Sequence, residues 1–210
     1  MERNNRGRQH PKLKKEDCAV VLDYLSLGYV KSDMSKFRGK PIAQVIGIEY
    51  FTLLELSPKE GVNLEIHDKV YIGKGKRDKI NKILGKLDFE NLTATSRIEI
   101  DYAIRDIIES QEEKYLEFFN TVGPLTTRLH KIELIPGVGK KHMLTFVEER
   151  KKKPFDSFEE ITERVPSFSD PVGMLVKRIK QELDNTSAKK GKKKYYLFTM
   201  APRKPKDDRR

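Results

Sequence analysis

Ile135-Pro136-Gly137-Val138-Gly139-Lys140-Lys141 sets two glycines one residue apart, directly ahead of two lysines. Glycine tolerates positive φ and has no Cβ to hold a ligand away from the backbone. A helix starting at Lys140 leaves its first N–H groups without intrahelical partners, at the positive end of its dipole. Such a corner is an anion seat, and a phosphate is a natural occupant. A second glycine-rich cluster, Gly73-Lys74-Gly75-Lys76-Arg77, is also basic. It lacks the spacing and the final Lys-Ser/Thr of a nucleotide-hydrolysing loop. It reads either as a basic loop lining a single-strand groove or as a solvated turn. The candidate binding residues are therefore Gly137, Val138, Gly139, Lys140 and Lys141, with Lys74, Lys76 and Arg77 acting beside them.

No residues are spaced for catalysis or for metal. Cys18 is the only cysteine, so neither an intrachain disulfide nor a cysteine-based zinc cluster can form. His10, His67, His130 and His142 are scattered without ligand spacing. No catalytic residue, metal or cofactor is expected. No apolar run approaches the roughly 20 residues of a membrane span, and the basic N-terminus has no apolar signal segment. A cytoplasmic protein without a membrane partner is expected.

The 210-residue chain carries a formal net charge of +11, which favours polyanionic partners. Residues 1–15 hold +5 and residues 186–210 hold +8, leaving −2 on residues 16–185. A binding face on the body must then be local. Residues 69–86 supply one, with seven bases against one acid. Residues 99–117 are the reverse, with seven acids against two bases, and read as a solvated helix face.

The elements that must position these groups change character along the chain. Residues 18–25 form a short apolar run, residues 43–56 read as two strands or one bent strand around Gly47, and residues 68–73 as a further strand. Short bent strands over about 60 residues suggest a small barrel of the OB type. Ile80, Ile83, Leu84 and Leu87 then fall at helical spacing, and residues 92–119 read as the longest helix. Val122, Leu125, Leu129 and Ile132 mark another helix, followed by the glycine hairpin and a helix over residues 140–150. Pro154 ends that helix, and Asp156 or Ser157, each with a glutamate three residues on, caps the next. A last helix spans residues 172–183. Tyr195-Tyr196-Leu197-Phe198 lies between basic stretches and reads as a strand docked on the body, with base stacking as the alternative.

Residues 134–150 resemble a helix-hairpin-helix motif, and Pro154-Phe155-Asp156-Ser157-Phe158-Glu159-Glu160-Ile161 resembles the joint between two such motifs. With Val70-Tyr71-Ile72-Gly73-Lys74-Gly75-Lys76-Arg77 ahead of them, the chain over about residues 12–200 resembles an archaeal family of uncharacterised proteins, a domain of unknown function. The resemblance implies an OB-like barrel before a helix-hairpin-helix domain, and RNA or nucleotide binding. The second hairpin departs from the pattern: Val165-Pro166-Ser167-Phe168-Ser169-Asp170-Pro171 lacks paired glycines, and Asp170 would repel a phosphate. Base-excision enzymes with this motif need an aspartate beyond the hairpin, but Asp156 stands where a helix cap is the simpler account.

The expected fold is α+β. It comprises a basic disordered arm (1–15), an OB-like β-barrel (16–90), a connecting helix (91–120), a helix-hairpin-helix domain (121–185) and a basic tail (186–210). The expected function is nucleic-acid binding without catalysis, with RNA preferred over DNA. A duplex-DNA accessory factor in repair or recombination, and a protein–protein adaptor, are the alternatives.

Overall fold

Cys18–Leu25 (β1), Ile42–Gly47 (β2) and Leu53–Pro58 (β3) are the apolar runs of the sequence, and they form the middle of one antiparallel sheet. Lys69–Tyr71 (β4) pairs with β1 and Ile80–Lys86 (β5) with β3, giving the order β4-β1-β2-β3-β5. No pairing joins β4 to β5 among the described residues, so the curled sheet is a half-barrel open between its edges. The structure is a computed structural model that describes residues 15–29, 39–184 and 194–200. The basic arm and most of the basic tail lie outside the described residues.

The sheet is apolar on both faces because each covers a separate core. Inside the curl, Ala19, Val21, Ala43, Val45, Leu56 and Val70 meet Ile72 and Ile80. On the outer face, Leu22, Ile46 and Leu53 pack against the helices. The register of β1 slips between Val21 and Asp23. This bulge turns Leu22 and Asp23 both outward and returns Tyr24 to the inner core. Asp23 accepts a hydrogen bond at 2.7 Å from the hydroxyl of Thr93, which caps Ala94–Glu109 (α1) by accepting from the Ser96 N–H. Fully buried Gln44 on β2 completes the joint, accepting from the Thr93 N–H at 2.9 Å and donating to Tyr29 and to the Asn91 carbonyl. Tyr29 in turn donates to Glu55, and burial, then that carboxylate, pushes its phenol up.

Three expected helices differ. Residues 80–86 form a strand, although their apolar residues are helically spaced. On this edge strand only Ile80 is buried, so strict alternation is not required. The helix expected over residues 92–119 is two, α1 and Glu112–Thr121 (α2), broken at Ser110-Gln111, where the Ser110 hydroxyl folds back to the Ile107 carbonyl. Residues 122–132 form no α-helix: Pro124–Thr126 (β6) and Leu129–His130 (β7) form a small hairpin leading into the 3-10 turn Lys131–Leu134. Gly123-Pro124 and Thr126-Thr127 disfavour a helix there.

Lys140–Lys152 (α3), Phe158–Arg164 (α4) and Pro171–Leu183 (α5) complete the chain. Phe119 from α2 sits among Phe146, Phe158 and Phe168, and the Phe146 and Phe168 rings stack with centroids 4.7 Å apart. Two turns of this unit are closed by the same kind of backbone hydrogen bond. The Val138 N–H bonds the Ile135 carbonyl at 3.1 Å, and the Phe168 N–H bonds the Val165 carbonyl at 2.8 Å. All four side chains are buried. The acidic stretch is not merely solvated: Asp101 pairs with Lys180, Arg105 with Asp170, and Glu99 with His67.

Candidate functional site

The hairpin before α3 has the geometry its glycines suggest. Gly137 adopts φ +87°, a left-handed turn that glycine alone takes without strain. Gly139 caps α3 with φ −90° and ψ 177°, ordinary extended backbone, and a Cβ added there would meet nothing within 4 Å. The first bond back along α3 is from the Met143 N–H to the Gly139 carbonyl at 2.9 Å. The N–H groups of Lys140, Lys141 and His142 thus face outward from the helix end. Both lysines are exposed, and no ion pair engages either among the described residues. Val138 differs from its expected role: its side chain is buried and its N–H closes the turn, so it anchors the hairpin.

The lysines at the far end of α3 are largely committed elsewhere. Lys152 pairs with Glu149, and Lys153 with Asp156 and Glu160. Ser157, not Asp156, caps α4, its hydroxyl accepting from the Glu160 N–H at 3.1 Å. Asp170 caps α5 through the Gly173 N–H at 2.8 Å and meets Arg105, so the second turn presents a carboxylate where the first presents open backbone.

The basic loop Gly73-Lys74-Gly75-Lys76-Arg77 spans from β4 to β5, beside the opening of the half-barrel. It is held in shape by backbone contacts. The Ile72 and Gly73 N–H groups both bond the Asp17 carbonyl, the Gly75 N–H bonds the Tyr71 hydroxyl at 3.1 Å, and Arg77 Nε bonds the Gly73 carbonyl at 3.0 Å. A Cβ on Gly73 would stand 2.5 Å from that hydroxyl. Lys74 and Lys76 are exposed and unpaired among the described residues.

Below this loop runs a groove of about 640 Å³, with Lys15, Lys74, Arg77 and Lys86 on its walls beside Tyr71 and Ile83. Two acids also line it. Glu16 is buried and saturated, its carboxylate accepting from the Glu49, Tyr50 and Thr52 N–H groups at 2.9 to 3.1 Å. The other is Asp17. Lys15, Lys86, Tyr71 and Ile83 were not singled out by the sequence, because the strand that brings two of them there has a helical pattern. No hydrogen bond or ion pair joins residues 135–141 to residues 74–77 among the described residues, so they stand as two separate clusters.

The C-terminal segment docks without forming a strand. Buried Glu182 on α5 accepts from the N–H groups of Leu197, Phe198 and Thr199 at 2.8 to 3.0 Å, and from Arg178 Nε at 2.8 Å. Arg178 also donates to the carbonyls of Leu134 and Tyr195. Phe198 packs its ring on Phe118, with centroids 4.8 Å apart. This docking brings Met200 to the edge of the groove.

Among the described residues no helix is long and apolar enough to cross a membrane, and no cluster of three or more His, Cys, Asp or Glu could hold a metal. An uncharacterised protein of Methanocaldococcus jannaschii, MJ0038, is 42% identical over 184 residues, covering 87% of this chain and 79% of that one. The crystal structure of Af1531 from Archaeoglobus fulgidus, described as a DUF655 family model, aligns with a TM-score of 0.79 at 45% identity, covering 88% of this chain and all of that one. Residues 15–200 match the family described as protein of unknown function (DUF655). With the curled sheet and the helical unit shared across that alignment, the chain belongs to the DUF655 family.

Proposed function

We propose that this protein binds single-stranded or irregular RNA and performs no chemistry on it. The observation that carries the reading is the groove at the opening of the half-barrel, where four cations flank an aromatic ring and an aliphatic side chain. Proteins that hold single strands combine these elements: cations track the phosphates while flat side chains meet the bases. We read the sheet as an OB-like barrel, since the strand order and the basic β4–β5 loop fit that plan, and such loops contact oligonucleotides. The face of strands two and three that OB barrels usually offer is covered by α1 and the Gln44 network. The interface therefore moves to the opening.

We read the helical unit as a helix-hairpin-helix pair in which only the first turn contacts phosphate. Gly137 is explained by its own backbone conformation. Gly139 is required by neither a positive φ nor packing; it is a favourable N-cap, and its missing Cβ leaves room for close approach of a phosphate to the Lys140–His142 N–H groups. The hairpin alone would also suit a duplex-DNA backbone, which keeps the accessory-factor reading as the second choice.

The test is a charge reversal, Lys74→Glu, Lys76→Glu and Arg77→Glu together, assayed for RNA affinity across a salt series. Losing three phosphate contacts reduces the slope of log K against log salt by about 2 for a single strand. Wild-type affinity and slope in that variant would make the loop ordinary surface.

A further inference from the structure

One wall of the groove carries a charge that opposes a polyanion. Asp17 is exposed and lines the groove beside Tyr71, Lys74 and Arg77. No hydrogen bond or ion pair engages its carboxylate among the described residues. Its backbone is fixed from both sides. The Asp17 carbonyl accepts from the Ile72 and Gly73 N–H groups at 2.8 and 3.1 Å. The preceding residue, Glu16, is locked into the body by the Glu49, Tyr50 and Thr52 N–H groups. Gly73 fixes where the side chain lies: a Cβ on Gly73 would stand 2.6 Å from Asp17 Oδ1 and 2.5 Å from the Tyr71 hydroxyl. The bare Cα of Gly73 thus lets the carboxylate and the phenol close over it, at the root of the loop that carries Lys74 and Arg77. Arg77 is tied to the same residue, its Nε donating to the Gly73 carbonyl at 3.0 Å. A free carboxylate, a phenol and a guanidinium are therefore gathered about one residue of the groove wall.

We propose that Asp17 accepts a hydrogen bond from a ribose 2′-hydroxyl of the strand held in the groove and so selects RNA over DNA, an inference that rests on the RNA-binding reading above. Water solvates the carboxylate in the free protein, but a phosphate strand passing it is repelled unless it brings a donor. An ionised carboxylate only accepts, and RNA has two kinds of donor, the 2′-hydroxyl and the N–H groups of the bases. The 2′-hydroxyl is the one that stands beside the phosphates, and Asp17 shares Gly73 with Arg77, a cation suited to hold them. Every ribonucleotide carries it, so the contact needs no particular sequence. DNA offers a methylene at that point. It strips water from the carboxylate without replacing the hydrogen bond, and leaves the repulsion in place. One side chain then favours the ribose and penalises the deoxyribose.

The experiment uses the full chain with a single-stranded RNA trimmed to the shortest length that binds, and its 2′-deoxy counterpart carrying deoxyuridine in place of uridine. The wild type is expected to bind the RNA about tenfold more tightly, the effect of one hydrogen bond to a charged group. Asp17→Ala keeps the backbone contacts and removes a side chain without partners, so its Tm should match that of the wild type. Its preference for RNA is expected to be lost, chiefly through a gain in DNA affinity. If Asp17 merely repels phosphate, Asp17→Ala binds both strands more tightly by the same factor and keeps the preference, which overturns the proposal. A single 2′-deoxy nucleotide walked along the RNA is expected to weaken wild-type binding about tenfold at one register, and to have no effect there on Asp17→Ala. A flat scan of the wild type, or equal affinity for the RNA and DNA strands with tight binding retained, overturns the 2′-hydroxyl contact while the groove reading stands. Absence of RNA binding by the wild type overturns both readings.

Discussion

Changing Glu182 to Gln should release the C-terminal segment from α5. The carboxylate is almost fully buried and takes hydrogen bonds from three successive backbone N–H groups, Leu197, Phe198 and Thr199, and from Arg178, which is itself 11% exposed. A carboxamide keeps one acceptor oxygen, but its nitrogen only donates, so it meets donors with donors. Hydrogen bonds to a charged group are worth roughly 1.5–3 kcal/mol each, and breaking a buried ion pair on one side costs about 3–5 kcal/mol. The latter range is the expected total, since the remaining oxygen retains part of the donor set. For a chain of 210 residues it corresponds to a Tm fall on the order of 10 °C. Phe198 would also leave Phe118 and Tyr115. Thermal and urea denaturation measure the loss, and hydrogen exchange at the Leu197, Phe198 and Thr199 amides locates it. A Glu182→Gln protein with wild-type Tm and protected amides at those three positions would show that the carboxylate does not hold the segment.

The two hairpin glycines should separate. Gly137→Ala forces a left-handed alanine and is expected to cost about 1–2 kcal/mol, whereas Gly139→Ala should cost less, about 0.5 kcal/mol as for a weakened N-cap, and still weaken RNA binding. Equal stability losses, or unchanged affinity in Gly139→Ala, would contradict this. His130 gives a pH dependence. Its Nδ1 accepts the Ile132 N–H at 3.2 Å only while neutral, and burial, then the Arg150 charge, holds its pKa below the ordinary value. The unfolded chain therefore takes up the proton first. Stability is fully present above about pH 6.5, and declines as pH falls from there through the lower folded pKa. Urea denaturation should show this decline, and His130→Gln should flatten it.

Much of the sheet was legible because β1 to β3 are buried on both faces and so read as apolar runs. The failures share a cause. Ile80, Ile83, Leu84 and Leu87 mimic a helix because an edge strand with one buried side chain carries no period-two signal. Val122, Leu125, Leu129 and Ile132 mimic one because Val122 joins the core from the end of α2 and Ile132 from a 3-10 turn, while Leu125 and Leu129 lie half-buried on a small hairpin between them. The break between α1 and α2 left no trace, since the apolar spacing continues through Ser110-Gln111. At the site, Lys74, Arg77 and the glycine hairpin were visible as local patterns. Lys15, Thr52, Tyr71 and Lys86 were not, because the sheet's curl, not proximity in sequence, gathers them. Tyr195-Tyr196-Leu197-Phe198 was legible as a docking segment, but the carboxylate that holds it, Glu182, was not distinguishable from any helix glutamate.

The central claim is that the barrel opening and the α3 hairpin together hold single-stranded RNA. Competition of single-stranded RNA against duplex DNA for the full-length protein, across a salt series, tests it most directly. RNA preference is expected at every salt concentration, with affinity falling steeply as salt rises. A preference for duplex DNA, or no binding near physiological salt, would contradict it.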